Sequence, residues 1–300
     1  MPAGGAGCRV GRCRAVLPPK APGVLRVSLF DQHVHTRFSP DSRAEPAECV
    51  RAAAGLGLAG LAFTDHYDLH PAERPGSGYD FDALRAEVDR LRARWGPRLF
   101  VGHGIEICWL KDQQDGILEA LEGQPLDVVL LSVHWADGRA LWEPGSWADW
   151  EPAAAAEACL LAVRDAVRWA ADLRRAGRRP FDVLGHLDIV RRYAARFGEG
   201  CDLRPFGLLI DEILQGCLQA GIVPELNTST MRGPPGDPMP QDWIVRRYLE
   251  LGGRALTLGS DAHTVDAVGA HLAAGADILR RLGVREQAVF IARQLRLQPL

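Results

Sequence analysis

Histidine and carboxylate side chains follow several short apolar runs of this chain. The first run leads into His33-Val34-His35, an HxH pattern. Residues i and i+2 of an extended strand point to the same side, so His33 and His35 can bind one metal ion side by side. A single HxH pair is a weak signal, but other runs end in the same residue types. These further residues are His66, Glu106, His134, His186, Asp261 and His263.

The residue types in this set indicate which metals it would bind. Imidazole and carboxylate ligands without thiolate suit zinc, manganese or iron. The set has more members than the four ligands that one tetrahedral ion takes, which predicts a multinuclear site. His70, His103 and His271 lie off the pattern and are predicted not to be ligands.

The elements that must position these residues alternate between strands and helices. β-rich apolar runs lie at residues 27–31, 58–64, 99–105, 128–133, 181–184, 222–226 and 255–259. Helical patterns between them include residues 45–54, 82–95, 153–175, 205–219, 241–251 and 266–282. This alternation predicts βαβ units with parallel strands and right-handed crossovers.

The position of the polar residues favours a barrel over an open sheet. No GxGxxG or GxxxxGK[ST] motif follows any run, so the nucleotide-binding forms of the open sheet lack their signature. A barrel brings its strand ends together at one mouth, whereas an open sheet spreads them along a line. We therefore predict an α/β barrel with a metal site at its C-terminal mouth.

Composition limits the other possibilities. The 300 residues are 47% hydrophobic, and 35 Lys+Arg against 38 Asp+Glu give a net charge of −3. This balance argues against broad binding to nucleic acid, and the absence of a long apolar run argues against a membrane span. Seven scattered cysteines without a CxxC pair predict reduced thiols and a cytoplasmic protein. Residues 1–27 are expected to be a disordered or non-native tail, and residues 28–300 a single domain.

The ordered motifs HVH, TDH, GIEI, SVHW, GHLD and SDAH resemble the PHP (polymerase and histidinol phosphatase) family of metal-dependent phosphoesterases. The segments DQHVHTRFSPDSRA, AFTDHYDL, GHLDIVRRY and ELNTSTMR are similar to its histidinol-phosphate phosphatase branch. The resemblance spans about residues 29–265. It implies a distorted seven-stranded (β/α)7 TIM-like barrel, which agrees with the seven runs.

The resemblance also implies three divalent metal ions (zinc, manganese or iron) and their ligands. The first ion would be held by His33, His35, Glu106 and Asp261, and the second by Glu106 as a bridge with His134 and His186. The third would be held by Asp41, His66 and His263. The residues expected to act in catalysis are Glu106, His134, Asp261 and His263.

The implied reaction is hydrolysis of a small phosphate monoester by a metal-bridging hydroxide. The branch implies L-histidinol phosphate as substrate, and hence a phosphoric monoester hydrolase of histidine biosynthesis. Guanidinium groups are expected on the phosphoryl oxygens. The candidate substrate-binding residues are Arg191, Arg192, Arg232 and Asn227. Trp109, Trp135 and Trp142 are candidates to stack on an imidazole ring, and Asp65 and Asp188 to orient neighbouring histidines.

Three alternatives stay open at this point. A PHP phosphoesterase could act on a nucleotide or sugar phosphate instead. Amidohydrolase barrels also begin with HxH, although here Glu106 stands where they supply a bridging Lys. A non-catalytic PHP module would predict lost ligands and extra domains. The sequence does not choose the metal or the oligomeric state, and it predicts neither a nucleic-acid nor a membrane partner.

Overall fold

The computed structural model describes residues 29–73, 79–198 and 200–300, so the prediction for residues 1–27 lies outside the described residues. The strands are β1 Phe30–Val34, β2 Gly60–Phe63, β3 His66–Tyr67, β4 Phe100–Cys108, β5 Val128–Ser132, β6 Trp135–Ala136, β7 Arg139–Ala140, β8 Val183–Leu184, β9 Val223–Asn227, β10 Thr257–Gly259, β11 Glu286–Ile291 and β12 Gln294–Pro299. The helices are α1 Pro46–Gly55, α2 Phe81–Trp95, α3 Gln114–Leu121, α4 Pro152–Arg175, α5 Val190–Arg196, α6 Gly207–Ala220, α7 Asp242–Glu250 and α8 Leu272–Arg281.

Seven parallel strands form the central sheet in the order β1-β2-β4-β5-β8-β9-β10. The two ends of this sheet meet just beyond β1 and β10. The His35 amide donates to the Ala262 carbonyl over 2.8 Å, and the Asp261 amide donates to the His33 carbonyl over 2.9 Å. The result is a nearly closed α/β barrel, which confirms the predicted fold class.

Strand β5 (VVLLS) illustrates how the sequence builds two cores. All five of its residues are buried, as expected of a strand covered on both faces. Val128 and Leu130 point into the barrel, where they pack with residues of other strands. Val129 and Leu131 point outward to the helices. In the helical layer, α4 packs on α6 at Gly216, where a Cβ would lie 2.7 Å from Val167 Cγ2.

Most element boundaries lie within two residues of the sequence prediction, but three elements differ from it by three residues or more. Strand β1 contains His33, and β4 continues through Glu106 to Cys108, because ladder pairing with β2 and β5 extends past the apolar runs. The helix predicted at residues 266–282 begins only at Leu272. Gly269 and His271 before it have positive φ angles, which interrupt a right-handed helix.

The antiparallel hairpin β11–β12 was not predicted, and it closes the N-terminal end of the barrel. Ala288 and Phe290 of β11 pack into the inner core. The side-chain amide of Gln32 bonds to both the N–H and the C=O of Phe290, at 2.9 and 3.1 Å. A buried polar side chain of β1 is thereby satisfied by the hairpin backbone.

The cysteines agree with the prediction of reduced thiols. Cys49, Cys108, Cys159 and Cys217 are buried and free, and Cys201 is half-buried and free. Cys8 and Cys13 lie outside the described residues. Within residues 29–73, 79–198 and 200–300, none of the helices combines the length and apolar character that crossing a membrane requires.

Candidate metal centre

The nine predicted metal ligands all lie at the C-terminal mouth of the barrel. Besides one set formed by Asp68, Cys108 and His134, potential ligand atoms of eight of these nine residues fall into four overlapping sets of three, with the atoms of each set within 4.8 Å of one another. These sets are His33, His35 and Asp261; His33, Glu106 and His186; His66, Glu106 and His134; and His35, His66 and His263. Asp41, which follows β1 in a turn, lies with its Oδ2 3.0 Å from His263 Nε2 and 3.5 Å from His66 Nε2.

The tautomers of His33 and His35 are fixed by neighbouring acceptors. His33 Nδ1 lies 2.8 Å from Glu225 Oε1, so it carries the proton and donates to that carboxylate. Ser39 Oγ donates to Asp65 Oδ1 over 2.9 Å. Its oxygen is therefore left to accept from His35 Nδ1, 3.1 Å away. In the neutral form of each ring, the nitrogen that faces the mouth without a proton is therefore Nε2.

The two Nε2 atoms lie only 3.0 Å apart, and in neutral rings both carry a lone pair. Two lone pairs at this distance repel each other unless a cation lies between them. Asp261 Oδ1 is 3.8 Å from His33 Nε2 and 3.5 Å from His35 Nε2, which adds negative charge at the same point. The donor set therefore fits a divalent ion such as zinc.

Glu106 occupies the position of a bridge between two such groups. Its Oε1 lies 2.8 Å from His186 Nε2 and 3.5 Å from His134 Nε2. Its Oε2 is buried and lies 3.0 Å from His66 Nδ1 and 3.3 Å from His33 Nε2, but none of the described residues forms a hydrogen bond to it. A buried carboxylate oxygen without a hydrogen bond is costly, and a metal ion would satisfy it.

The electrostatics of the mouth also favour cations. Burial alone would raise the pKa of Glu106, but the surrounding histidines His33 and His66 hold it well below its usual value. Burial lowers the pKa of His134 to about 3, which keeps the ring neutral and able to act as a ligand. Burial also lowers the pKa of His35, and the neighbouring His263 and His66 lower it further. A neutral imidazole is the form that coordinates metal.

Backbone conformation aims two of these side chains. His186 and Asp261 each follow the end of a strand and have φ angles of 22° and 51°. Positive φ is unfavourable for residues with a Cβ and is concentrated at functional sites. Gly259, just before this bend, has no room for a side chain, because a Cβ there would lie 2.5 Å from His33 Cβ and closer still to Glu225.

Glu225 is the main site residue that the sequence analysis did not identify. Its Oε1 accepts from His33, and its Oε2 accepts from the His186 amide over 3.0 Å and from Asn227 Nδ2 over 3.1 Å. One carboxylate thus positions two predicted ligands on different strands. The available signal was the period of two in Glu225-Leu226-Asn227, which places an acid on the interior face of a buried strand.

The predicted orienting residues have different partners. Asp65 acts on His35 through Ser39, as described above, and so supports a predicted ligand indirectly. Asp188 instead accepts from Arg191 over 3.1 Å and from the Gln241 amide over 3.1 Å. It thereby fixes the start of α5 rather than the ring of His186.

A cavity of about 750 Å³ opens over the metal ligands. Arg192 and Arg232 line it. Arg192 Nη1 donates to Asp261 Oδ2 over 2.8 Å, and Arg232 donates to the Ser260 and Asp261 carbonyls over 2.7 and 3.2 Å. These bonds hold both guanidinium groups beside the ligands.

Two of the candidate substrate-binding residues are engaged elsewhere. Arg191 is buried and forms a bidentate ion pair with Asp237, at 2.8 and 2.9 Å. Asn227 is buried and bonds to Glu225 and to the Ser229 amide. Neither is among the residues that line the cavity. Sequence position alone could not separate Arg191 from Arg192, because both follow the same strand and differ only in the helical direction of their side chains.

The three tryptophans that were candidates for stacking on the substrate lie in different environments. Trp142 lines the cavity, and its ring lies 6.4 Å from that of His134. Trp135 packs against Trp142 edge to face and is stacked by His70. Trp109 is buried in the outer core. His70, His103 and His271 belong to none of the sets of potential ligands formed by the described residues.

The fold and site together define a parallel α/β barrel with a candidate multinuclear metal centre at its mouth. Comparison with known proteins places this arrangement in a family. The PHP domain profile matches residues 31–229, and the chain belongs to the PHP family.

Individual relatives extend this result. The chain is 30% identical to the probable histidinol-phosphatase of Clostridium acetobutylicum over 80% of this chain and 89% of that protein. It is 24% identical to the histidinol-phosphatase of Lactococcus lactis over 87% of this chain and 94% of that protein. The crystal structure of the Lactococcus lactis histidinol phosphate phosphatase, complexed with zinc, L-histidinol and phosphate, matches with a TM-score of 0.75 at 23% identity. It covers 90% of this chain and 99% of that chain, and it confirms the fold.

Proposed function

We propose that this protein is a metal-dependent phosphatase that hydrolyses L-histidinol phosphate to L-histidinol and phosphate. The observation that carries the proposal is the meeting of nine potential ligands with two guanidinium groups around one cavity. The relatives named as histidinol-phosphatases support the choice of substrate. Membership of histidine biosynthesis and a cytoplasmic location follow from that substrate as part of the same proposal.

We further propose that the site holds three divalent metal ions. One would lie between His33, His35, Glu106 and Asp261, and a second between Glu106, His134 and His186. Asp41, His66 and His263 would hold the third. Ions in these positions would act as Lewis acids on phosphoryl oxygens and would activate water at neutral pH.

The side chains of this chain would contribute positioning and charge. Glu225 holds the unprotonated Nε2 of His33 toward the mouth, and Ser39 does the same for His35. Arg192 and Arg232 would donate to the phosphoryl oxygens, where negative charge spreads in the transition state. The bonds of both arginines to residues 260 and 261 fix them before substrate arrives, which lowers the cost of ordering them.

A phosphate-release assay tests the proposal. The metal-depleted protein is supplied separately with zinc, manganese or iron, and L-histidinol phosphate is compared with nucleotide and sugar phosphates. We expect activity to depend on metal and kcat/KM to be highest for L-histidinol phosphate. Equal kcat/KM for all esters would leave a phosphatase but overturn the substrate.

His134→Ala, compared with His271→Asn, tests the site itself. His134 lies among the ligands, whereas His271 is exposed at the start of α8, outside the ligand sets. Asn tolerates the positive φ of this position. We expect only the first variant to lose activity, and full activity of His134→Ala would contradict the metal scheme.

A further inference from the structure

Two carboxyl groups of the cavity wall have no part in the proposed metal scheme. Asp68 and Glu73, from the segment after β3, line the cavity and lie within hydrogen-bonding reach of each other. Asp68 is only 5% exposed, and its Oδ1 has no hydrogen-bond partner among the described residues. A buried carboxyl oxygen without a partner, in a residue that lines a cavity, calls for a cationic ligand or a hydrogen-bond donor.

The position of Glu73 is supported by aromatic packing. Trp135 Nε1 donates to Glu73 Oε1. The ring of His70 stacks on Trp135 with centroids 3.5 Å apart and an interplanar angle of 11°. Trp142 packs edge to face against Trp135 and lines the cavity beside these acids. Glu73, which with Asp68 forms what we call the acidic wall, is therefore held in place by Trp135.

Charge is divided between two sides of the same cavity. The guanidinium groups of Arg192, Arg196 and Arg232 come from α5 and from the turn after β9. The carboxyl groups of Asp68 and Glu73 come from the chain between β3 and α2. An anion fits the first side and a cation the second, so the cavity matches a molecule that carries both charges.

We propose that Asp68 and Glu73 bind the ammonium group of a phosphate ester of an amino alcohol, and so select the leaving group. This inference rests on the proposed function, since L-histidinol phosphate has a primary ammonium group one carbon away from its ester carbon. The short spacing requires an ammonium site close to the metal ligands. Asp68 meets this requirement, because its Oδ2 lies 3.9 Å from His66 Nδ1.

The test compares esters that differ only in the amine or only in the ring. The panel is L-histidinol phosphate, 3-(imidazol-4-yl)propyl phosphate, L-phenylalaninol phosphate and 3-phenylpropyl phosphate. The measured quantity is the amine preference, defined as the ratio of kcat/KM for an ester with the amine to that for its deamino analogue. We expect a preference of about tenfold or more in the wild-type protein for both rings, because the deamino esters leave the acids unpaired.

The isosteric variants Asp68→Asn and Glu73→Gln should each reduce this preference by about tenfold. Glu143→Gln is the matched control, because Glu143 is exposed next to Trp142 and does not line the cavity. It should keep the wild-type ratio. If Asp68→Asn does not fold, Glu73→Gln and its ratio carry the test. An unchanged amine preference in the folded variants, or no preference in the wild type, would overturn the proposal.

The same data distinguish failure of this inference from failure of the proposed function. If the wild type hydrolyses the imidazole esters no faster than the phenyl esters, L-histidinol phosphate is not its particular substrate. A preference for amine over deamino esters in the phenyl pair would still support the acidic wall. Loss of the amine preference with a retained ring preference would overturn the acidic wall alone.

Discussion

The two ends of the barrel both bury charged groups, but they satisfy them differently. At the N-terminal end, Asp127 accepts from Arg92, from the His103 amide over 2.8 Å and from the Ala292 amide over 2.9 Å. At the C-terminal mouth, Glu106 faces five histidines, and one of its oxygens has no hydrogen-bond partner among the described residues. Asp127 is therefore satisfied by donors of the chain itself, whereas Glu106 leaves an oxygen that the proposed metal ions would satisfy.

The hairpin β11–β12 explains part of this difference. Arg293 at its tip donates to the carbonyls of Arg179 and Pro180 over 2.8 and 2.9 Å and pairs with Asp182. Backbone and guanidinium donors thus cover the carboxylates that precede β5 and β8. Among the described residues, the mouth has no such cover. This is expected of a barrel whose N-terminal face contributes stability and whose C-terminal face carries the active site.

The largest effect that would test this comparison is expected from Glu106→Gln. The amide keeps the shape of the side chain but removes the negative charge shared by the histidines. Because metal ions contribute several kcal/mol of transition-state stabilisation, we expect kcat/KM to fall by about 10³-fold. Circular dichroism should show an intact barrel. Retained activity with retained metal content would contradict a bridging role for Glu106.

Asp127→Asn is the corresponding change at the N-terminal end, which we call the closed end. In contrast to Glu106→Gln, it is expected to affect stability and not activity. It removes the charge that faces Arg92 and weakens a buried hydrogen-bond network. We expect the free energy of unfolding in urea to fall by about 2 kcal/mol, while kcat/KM of the folded protein stays at its wild-type value. A loss of activity without a loss of stability would remove the distinction between the two ends.

Glu225→Gln sharpens the comparison, since this residue contacts His33 and the His186 amide but belongs to none of the sets of potential ligands formed by the described residues. An amide keeps only one of its two oxygens, so His33 or the His186 amide loses an acceptor. We expect metal affinity to fall by about 10- to 100-fold, as is usual for residues that orient ligands. Competition with a chromogenic chelator measures it. Unchanged affinity would show that the rings are oriented by packing alone.

The meeting of the candidate ligands at one mouth could be predicted from the sequence because a periodic fold brings strand ends together. The predicted strand bounds were wrong by one to three residues, but this did not affect the predicted site. The side chains of His33 and Glu106 point to the same side whether the residue lies within a strand or just beyond its end. The seven-stranded barrel and the position of each candidate ligand could therefore be predicted from local pattern and family resemblance together.

Residues that act through long-range contacts could not be predicted in the same way. Glu225 reads as an isolated acid within an apolar run, and its role depends on His33, which is 192 positions away. Phe290 of the hairpin, which closes the N-terminal end of the barrel, is bonded to Gln32, which is 258 positions away. Arg191 and Arg192 are neighbours in sequence, and only tertiary packing against Asp237 separates them.

The smallest expected effect concerns His103, which lies at the closed end beneath Asp127. It is 1% exposed, and burial together with Arg92 and Arg85 lowers its pKa to about 4. The unfolded chain takes up this proton near pH 6.5, so the free energy of unfolding should fall as the pH drops from about 6.5 to 4. The slope for one such group is at most about 1.4 kcal/mol per pH unit. Urea titrations at several pH values, with a chelator present, measure the free energy of unfolding. Its slope against pH should be shallower for His103→Gln than for the wild type. Equal slopes would mean that His103 is already protonated in the folded protein. The N-terminal end of the barrel would then hold one more positive charge than those that its carboxylates pair with.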